Sequence, residues 1–168
     1  PAFSEIALGS YVLAKGRLSP MNRTFFSLAL LAGIGSGLDL MVASLGSEEQ
    51  ALWAFRLLVF LLIVEMGMAY RLNTMVPFPM PMFVYGNNLM AYWLSVLGVS
   101  LIAAMSVGNM VSDDFGWVPE SDAPFALLTM LLAIYLALLA VTFVRRWKGS
   151  KGLMKRQVIT MTAALAIP

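Results

Sequence analysis

An all-α, polytopic transmembrane helix bundle is what the residues predict: four full spans and two partial apolar segments at the chain ends. Three observations lead there. The 168 residues are 60% hydrophobic and only 12% charged, against roughly 25% charged for an ordinary soluble domain. The charges collect between apolar runs and leave four windows almost free of them. Each window holds about twenty residues, which at ~1.5 Å rise matches the ~30 Å hydrocarbon core of a bilayer. The runs are also uniformly apolar, whereas barrel strands alternate, so nothing in the chain suggests strands.

The chain reads as a single domain, 1–168. Residues 2–14 are apolar but short and contain Glu5, which fits half a span or an interfacial helix ending at Lys15-Gly16-Arg17. The first full span is expected over 24–45. Ser47, Glu48 and Glu49 then open a second, over 51–70, since a side-chain oxygen caps free N–H groups and carboxylates suit the positive end of a helix. Residues 75–82 (MVPFPMPM) alternate Pro, which forbids helix and predicts an extended apolar connection. A third span follows over 88–109, then a polar, acidic loop over 112–123 with Trp117 at headgroup depth. The fourth span, 124–144, carries no charge and has Pro at its first turn. A last apolar run, 157–168, is too short to span. A start at Pro1 and a stop at Pro168 within an apolar stretch suggest processing or a fragment.

Loop charges set the orientation. Lys15, Arg17 and Arg23 precede the first span, and Arg145, Arg146, Lys148, Lys151, Lys155 and Arg156 form a basic loop after the fourth. The intervening loops carry Glu48 and Glu49, or Asp113, Asp114, Glu120 and Asp122. Basic loops alternate with acidic ones, so 15–23, 71–87 and 145–156 are expected in the cytoplasm of a prokaryotic inner (plasma) membrane. The basic loop attracts anionic lipid or a cytoplasmic partner, or simply sets topology.

With no Cys and no His, disulfides, thiolate or imidazole metal sites and His-based acid–base chemistry are excluded. No catalytic constellation, metal site or cofactor is expected, nor any nucleic-acid partner. Intramembrane ionisable residues are costly and are the first candidates for function. Asp39 and Arg56 fall at similar depth, roughly 8–9 Å below the outer boundary, on antiparallel neighbours. An Asp39–Arg56 ion pair is the expectation, with an outward-facing ligand or ion pocket as the alternative. Glu65 lies deeper, within reach of Arg23 or Arg17, or else carries a proton. Gly33, Gly35 and Gly37 (GIGSG) resemble a dinucleotide fingerprint in letters only. No strand precedes them, and the spacing of Gly33 and Gly37 fits close helix packing. The 13 methionines fall mostly within spans as packing residues.

The order of segments resembles the seven-helix membrane region at the N-terminus of many bacterial and archaeal sensor histidine kinases. The matching features are a first helix ending at Lys15 and Arg17, then Arg23, Phe25 and Phe26 opening the next helix, and ALWAFRL at 51–57. They continue with Gly108-Asn109, the outer loop with Trp117, and Lys155-Arg156-Gln157 leading to Pro168. The resemblance implies a sensory or signal-input role, with a seventh helix and a kinase beyond this sequence. Two other classes remain open: a non-catalytic subunit of a larger respiratory or photosynthetic membrane complex, and small-solute transport along Asp39, Arg56 and Glu65. Other membrane protein chains are the expected partners, and the residues do not name a small-molecule ligand.

Overall fold

The computed structural model describes residues 2–17, 19–75, 87–114, 116–120, 123–149 and 151–152. Five helices follow in order: α1 (Ala2–Lys15), α2 (Pro20–Ser44), α3 (Glu48–Met75), α4 (Asn87–Ser106) and α5 (Ala123–Gly149). The last four are long and apolar enough to cross a membrane. The 14 residues of α1 reach about 21 Å, short of a hydrocarbon core. The proline-rich connection beyond Met75 and the run 157–168 lie outside the described residues.

The helix ends follow local chemistry. Ser19 is extended (φ −70°, ψ 121°) and its Oγ accepts from the Asn22 amide, with Pro20 opening α2. Asn22 in turn donates from Nδ2 to Val12 O (3.1 Å) and Gly16 O (3.3 Å), closing the C-terminal carbonyls of α1. Ser47 Oγ accepts from the Gln50 amide at the start of α3, and Glu48 and Glu49 fill its first turn. At the far end, α5 runs on to Gly149. Arg145, Arg146 and Lys148 therefore lie on helix rather than in the expected loop, because nothing before Gly149 breaks it. Arg and Lys are good helix formers, and they suit the negative end of the dipole. Lys151 follows just past the helix, while Lys155 and Arg156 lie outside the described residues.

A second departure is a small β-hairpin. β1 (Met110–Asp113) pairs antiparallel with β2 (Gly116–Pro119), matching Met110 with Pro119 and Ser112 with Trp117. No strand was expected, since these segments are far shorter than a spanning strand and have no apolar alternation. What fixes the hairpin is its seat. Met110 packs with Val42 and Ala51 at the junction of α2 and α3, against Trp117. Trp117 Nε1 donates to Leu45 O (2.8 Å), satisfying a carbonyl at the end of α2. Gly116 has φ +118°, and a Cβ there would lie 2.7 Å from Ala43 O. Only glycine meets both conditions. Glu120 N donates to Asn109 O, and Asn109 Nδ2 to Glu120 Oε2 (3.2 Å), bracketing the hairpin at its base.

The bundle is layered by sequence neighbours. α2 packs on α1 and α3, and α3 on α4, while α5 touches α3 and α4 more sparsely. Val59, Ala103, Ala104, Val107 and Leu128 form the central cluster. Small residues dominate the closest contacts, as expected where lipid is as apolar as any side chain and packing drives association. The buried share of each apolar span is 22% for α2 and α3 but 6% for α5, so α5 is the least enclosed helix.

Alternating helix directions gather charge by sign. Lys15, Arg17, Arg23, Arg71, Arg145, Lys148 and Lys151 all lie at one end of the bundle. Glu48, Glu49, Asp113, Asp114 and Glu120 lie at the other, with the hairpin.

Candidate functional site

The expected Asp39–Arg56 pair is not formed. Arg56 donates from Nε (3.2 Å) and a terminal nitrogen (2.9 Å) to one acceptor, Val107 O, and its guanidinium lies 5.0 Å from the Trp53 ring centroid. Val107 sits just past the end of α4, where helix carbonyls lack amide partners and the dipole is negative. The cation is thus held by a helix terminus. Asp39 is exposed on α2. Equal depth does not pair the two side chains, because the carbonyl at the end of α4 takes Arg56 instead.

Glu65 is half-buried on α3. Arg23 is engaged elsewhere, donating from Nε to Arg17 O (2.8 Å). Within the GIGSG run, Gly33 is buried. A Cβ on Gly35 would rest in ordinary contact with Leu58 Cδ1 (3.9 Å), and one on Gly37 would meet nothing within 4 Å. Two other glycines also make close contacts. A Cβ on Gly9 would stand 2.7 Å from Ala29 Cβ, and one on Gly67 2.9 Å from Val96 Cγ1.

Gly67 also lines a cleft of about 350 Å³ between α3, α4 and α5. α3 contributes Ile63, Met66, Gly67 and Tyr70, and α4 contributes Tyr92, Ser95, Val96 and Val99. Leu128, Leu131, Leu132, Ile134, Tyr135 and Leu138 of α5 complete it. The walls present almost no polar surface, and the cleft is open on one side. Because Gly67 has no side chain, α4 approaches closely and Tyr92 Oη donates to Gly67 O (2.6 Å). One turn on, the Tyr70 amide donates to Tyr135 Oη (3.0 Å). The rings follow suit: Tyr70 stacks on Tyr92 (centroids 6.4 Å, 26°) and meets Tyr135 edge-on (6.5 Å, 61°). Three helices are therefore pinned at one level by Tyr92 and Tyr135, whose hydroxyls meet the α3 backbone, and all three tyrosines line the cleft. Such a site offers dispersion and ring contacts, with the Ser95, Tyr92 and Tyr135 hydroxyls engaged by backbone groups.

The sequence reading missed this site. Tyr70, Tyr92 and Tyr135 are far apart in the chain, and each alone reads as an ordinary membrane tyrosine. Gly67, isolated in an otherwise bulky helix, was the one legible signal of close approach. Among the described residues no group of three or more metal-ligating side chains gathers.

Fold and cleft together define a multi-pass helical membrane protein with an apolar intramembrane cavity. No family model, curated protein or solved structure matches the chain.

Proposed function

We propose that the chain is a membrane input module, whose cue is an apolar molecule drawn from the bilayer into the α3–α4–α5 cleft. The observation that carries this reading is the cleft itself: about 350 Å³, apolar-walled and open on one side, with the least enclosed helix as one wall. An occupant fills space between α5 and the α3–α4 pair. α5 continues without a break into Arg145 and Lys148, so a shift of its apolar half moves charge at the basic end. That end faces the cytoplasm of a prokaryotic inner membrane on the positive-inside rule, where an effector would read it. The kinase-like order of segments agrees with this role.

The test uses a diazirine-bearing palmitate as probe, with the full chain in lipid nanodiscs. Crosslinks should concentrate on Val99, Leu131 and Leu138, and Val99→Trp, which fills the cleft, should abolish them. Labelling spread evenly over outward positions such as Leu94 and Leu101, and indifferent to Val99→Trp, would end the reading. A spin label at Lys148 should change mobility when the probe is present.

A second reading, a non-catalytic subunit of a larger membrane complex, draws on the exposure of α5, where Met130, Leu136 and Val141 are uncovered. It requires a stoichiometric partner in mild-detergent extracts. Transport has less to rest on, because Asp39, Arg56 and Glu65 are not brought together.

A further inference from the structure

At the basic end, where α2 begins and α3 ends, lies a second cavity of about 300 Å³. Arg23, Thr24 and Ser27 of α2, Arg71 of α3 and Trp93 of α4 line it. Arg71 holds its guanidinium 5.7 Å from the Trp93 ring centroid, and its Nε is buried without a hydrogen-bond partner. Arg23 is steadied by its bond to Arg17 O. Both cations stand beside the N-terminal turn of α2, itself the positive end of a helix. The nearest carboxylate along α3, Glu65, is about 9 Å away along the axis. Arg71 is about 6 Å from the end of α3 at Met75, the depth of lipid headgroups, and Trp93 suits that interface. Two forked cations, a positive helix end and a buried donor lacking an acceptor together ask for a doubly accepting anion.

We propose that this cavity binds a phosphate group, with Arg71 and Arg23 as its clamp and Trp93 as its wall. The guanidinium of Arg71 donates to two phosphate oxygens, and the ring keeps it from swinging into the apolar cleft behind. That cleft lies on the other side of the same turns, lined by the adjacent residues Tyr70 and Tyr92. The phosphate belongs either to a lipid headgroup or to a free ion, and both present the same oxygens.

The experiment takes the full chain in a maltoside detergent and titrates it with phosphatidic acid, with diacylglycerol as the phosphate-free control. The readouts are Trp93 fluorescence, isolated by difference against Trp93→Phe, and lipid retained in native mass spectra. Phosphatidic acid should be retained and should shift Trp93, and diacylglycerol should do neither. Arg71→Gln should weaken retention about tenfold, the scale of one charge-assisted bond. Arg145→Gln, the same charge change outside the cavity, should stay within about twofold. Should Arg71→Gln fail to fold, Arg23→Gln carries the same comparison. Lipid displaced by millimolar inorganic phosphate identifies the free ion as a ligand, and lipid that resists it identifies the headgroup. Either outcome upholds the site. Equal retention of both lipids, or equal loss in Arg71→Gln and Arg145→Gln, overturns it.

Discussion

Arg56 of α3 donates twice to the carbonyl of Val107, at 3.2 and 2.9 Å, and so ties the outer half of one spanning helix to the end of another. The bond replaces the carboxylate partner that an intramembrane arginine ordinarily needs. Charge-assisted hydrogen bonds contribute about 1.5–3 kcal/mol, so Arg56→Gln should lower stability in detergent by about 2 kcal/mol. Asp39→Asn should change it by less than about 0.5 kcal/mol, as for a surface site. Equal losses in the two variants would restore the ion pair.

The hairpin seat gives a second expectation. Gly116→Ala places a methyl 2.7 Å from Ala43 O at φ +118°, a combination of backbone strain and overlap costing about 1–3 kcal/mol. The hairpin should undock while the spans persist, which hydrogen exchange at residues 110–119 would register. Trp117→Phe, which loses the bond to Leu45 O and part of the ring's packing but strains no backbone, should open it less.

Two glycines should behave oppositely. Gly67→Ala drives a Cβ to 2.9 Å from Val96 Cγ1, on a stiff β-branched side chain, and should destabilise by about 1–3 kcal/mol. Gly37→Ala meets nothing within 4 Å of this chain and should be neutral, or stabilise by up to about 1 kcal/mol through helix propensity. Thermal melts of both variants in one detergent make the comparison. A damaging Gly37→Ala would mean that this face packs against a second chain.

Because the chain contains no cysteine, single cysteines report sidedness cleanly. Ser112→Cys, in the hairpin, and Lys151→Cys, past α5, should label from opposite sides of intact vesicles with an impermeant maleimide. Labelling from one side would mean that α5 does not cross the membrane.

The spans were legible because a bilayer imposes a length and a solvent on every crossing helix, and composition alone reveals both. The start of α3 was legible too, from Ser47 with Glu48 and Glu49. The fate of Arg56 was not: its partner is a backbone carbonyl fifty-one residues on, and carbonyls carry no signature in the sequence. The hairpin escaped for a related reason, since its stability comes from a seat built by Val42, Leu45 and Ala51 rather than from its own strand propensity. The tyrosine level of the cleft depends on helix rotation, which periodicity resolves poorly when a helix is apolar on every side. The GIGSG run drew notice by its letters, while the single Gly67 admits a close approach of α4.

The tyrosine-lined walls have a consequence for selectivity. With almost no polar surface on its walls, the cleft has little with which to recognise a hydroxyl, a carbonyl or a charge. Length and girth are what remain to sort its occupants, and one methylene more or less discriminates by only about 1–3 kcal/mol. A family of related hydrophobic molecules would therefore compete for the space, and the one most abundant in the surrounding lipid would hold it.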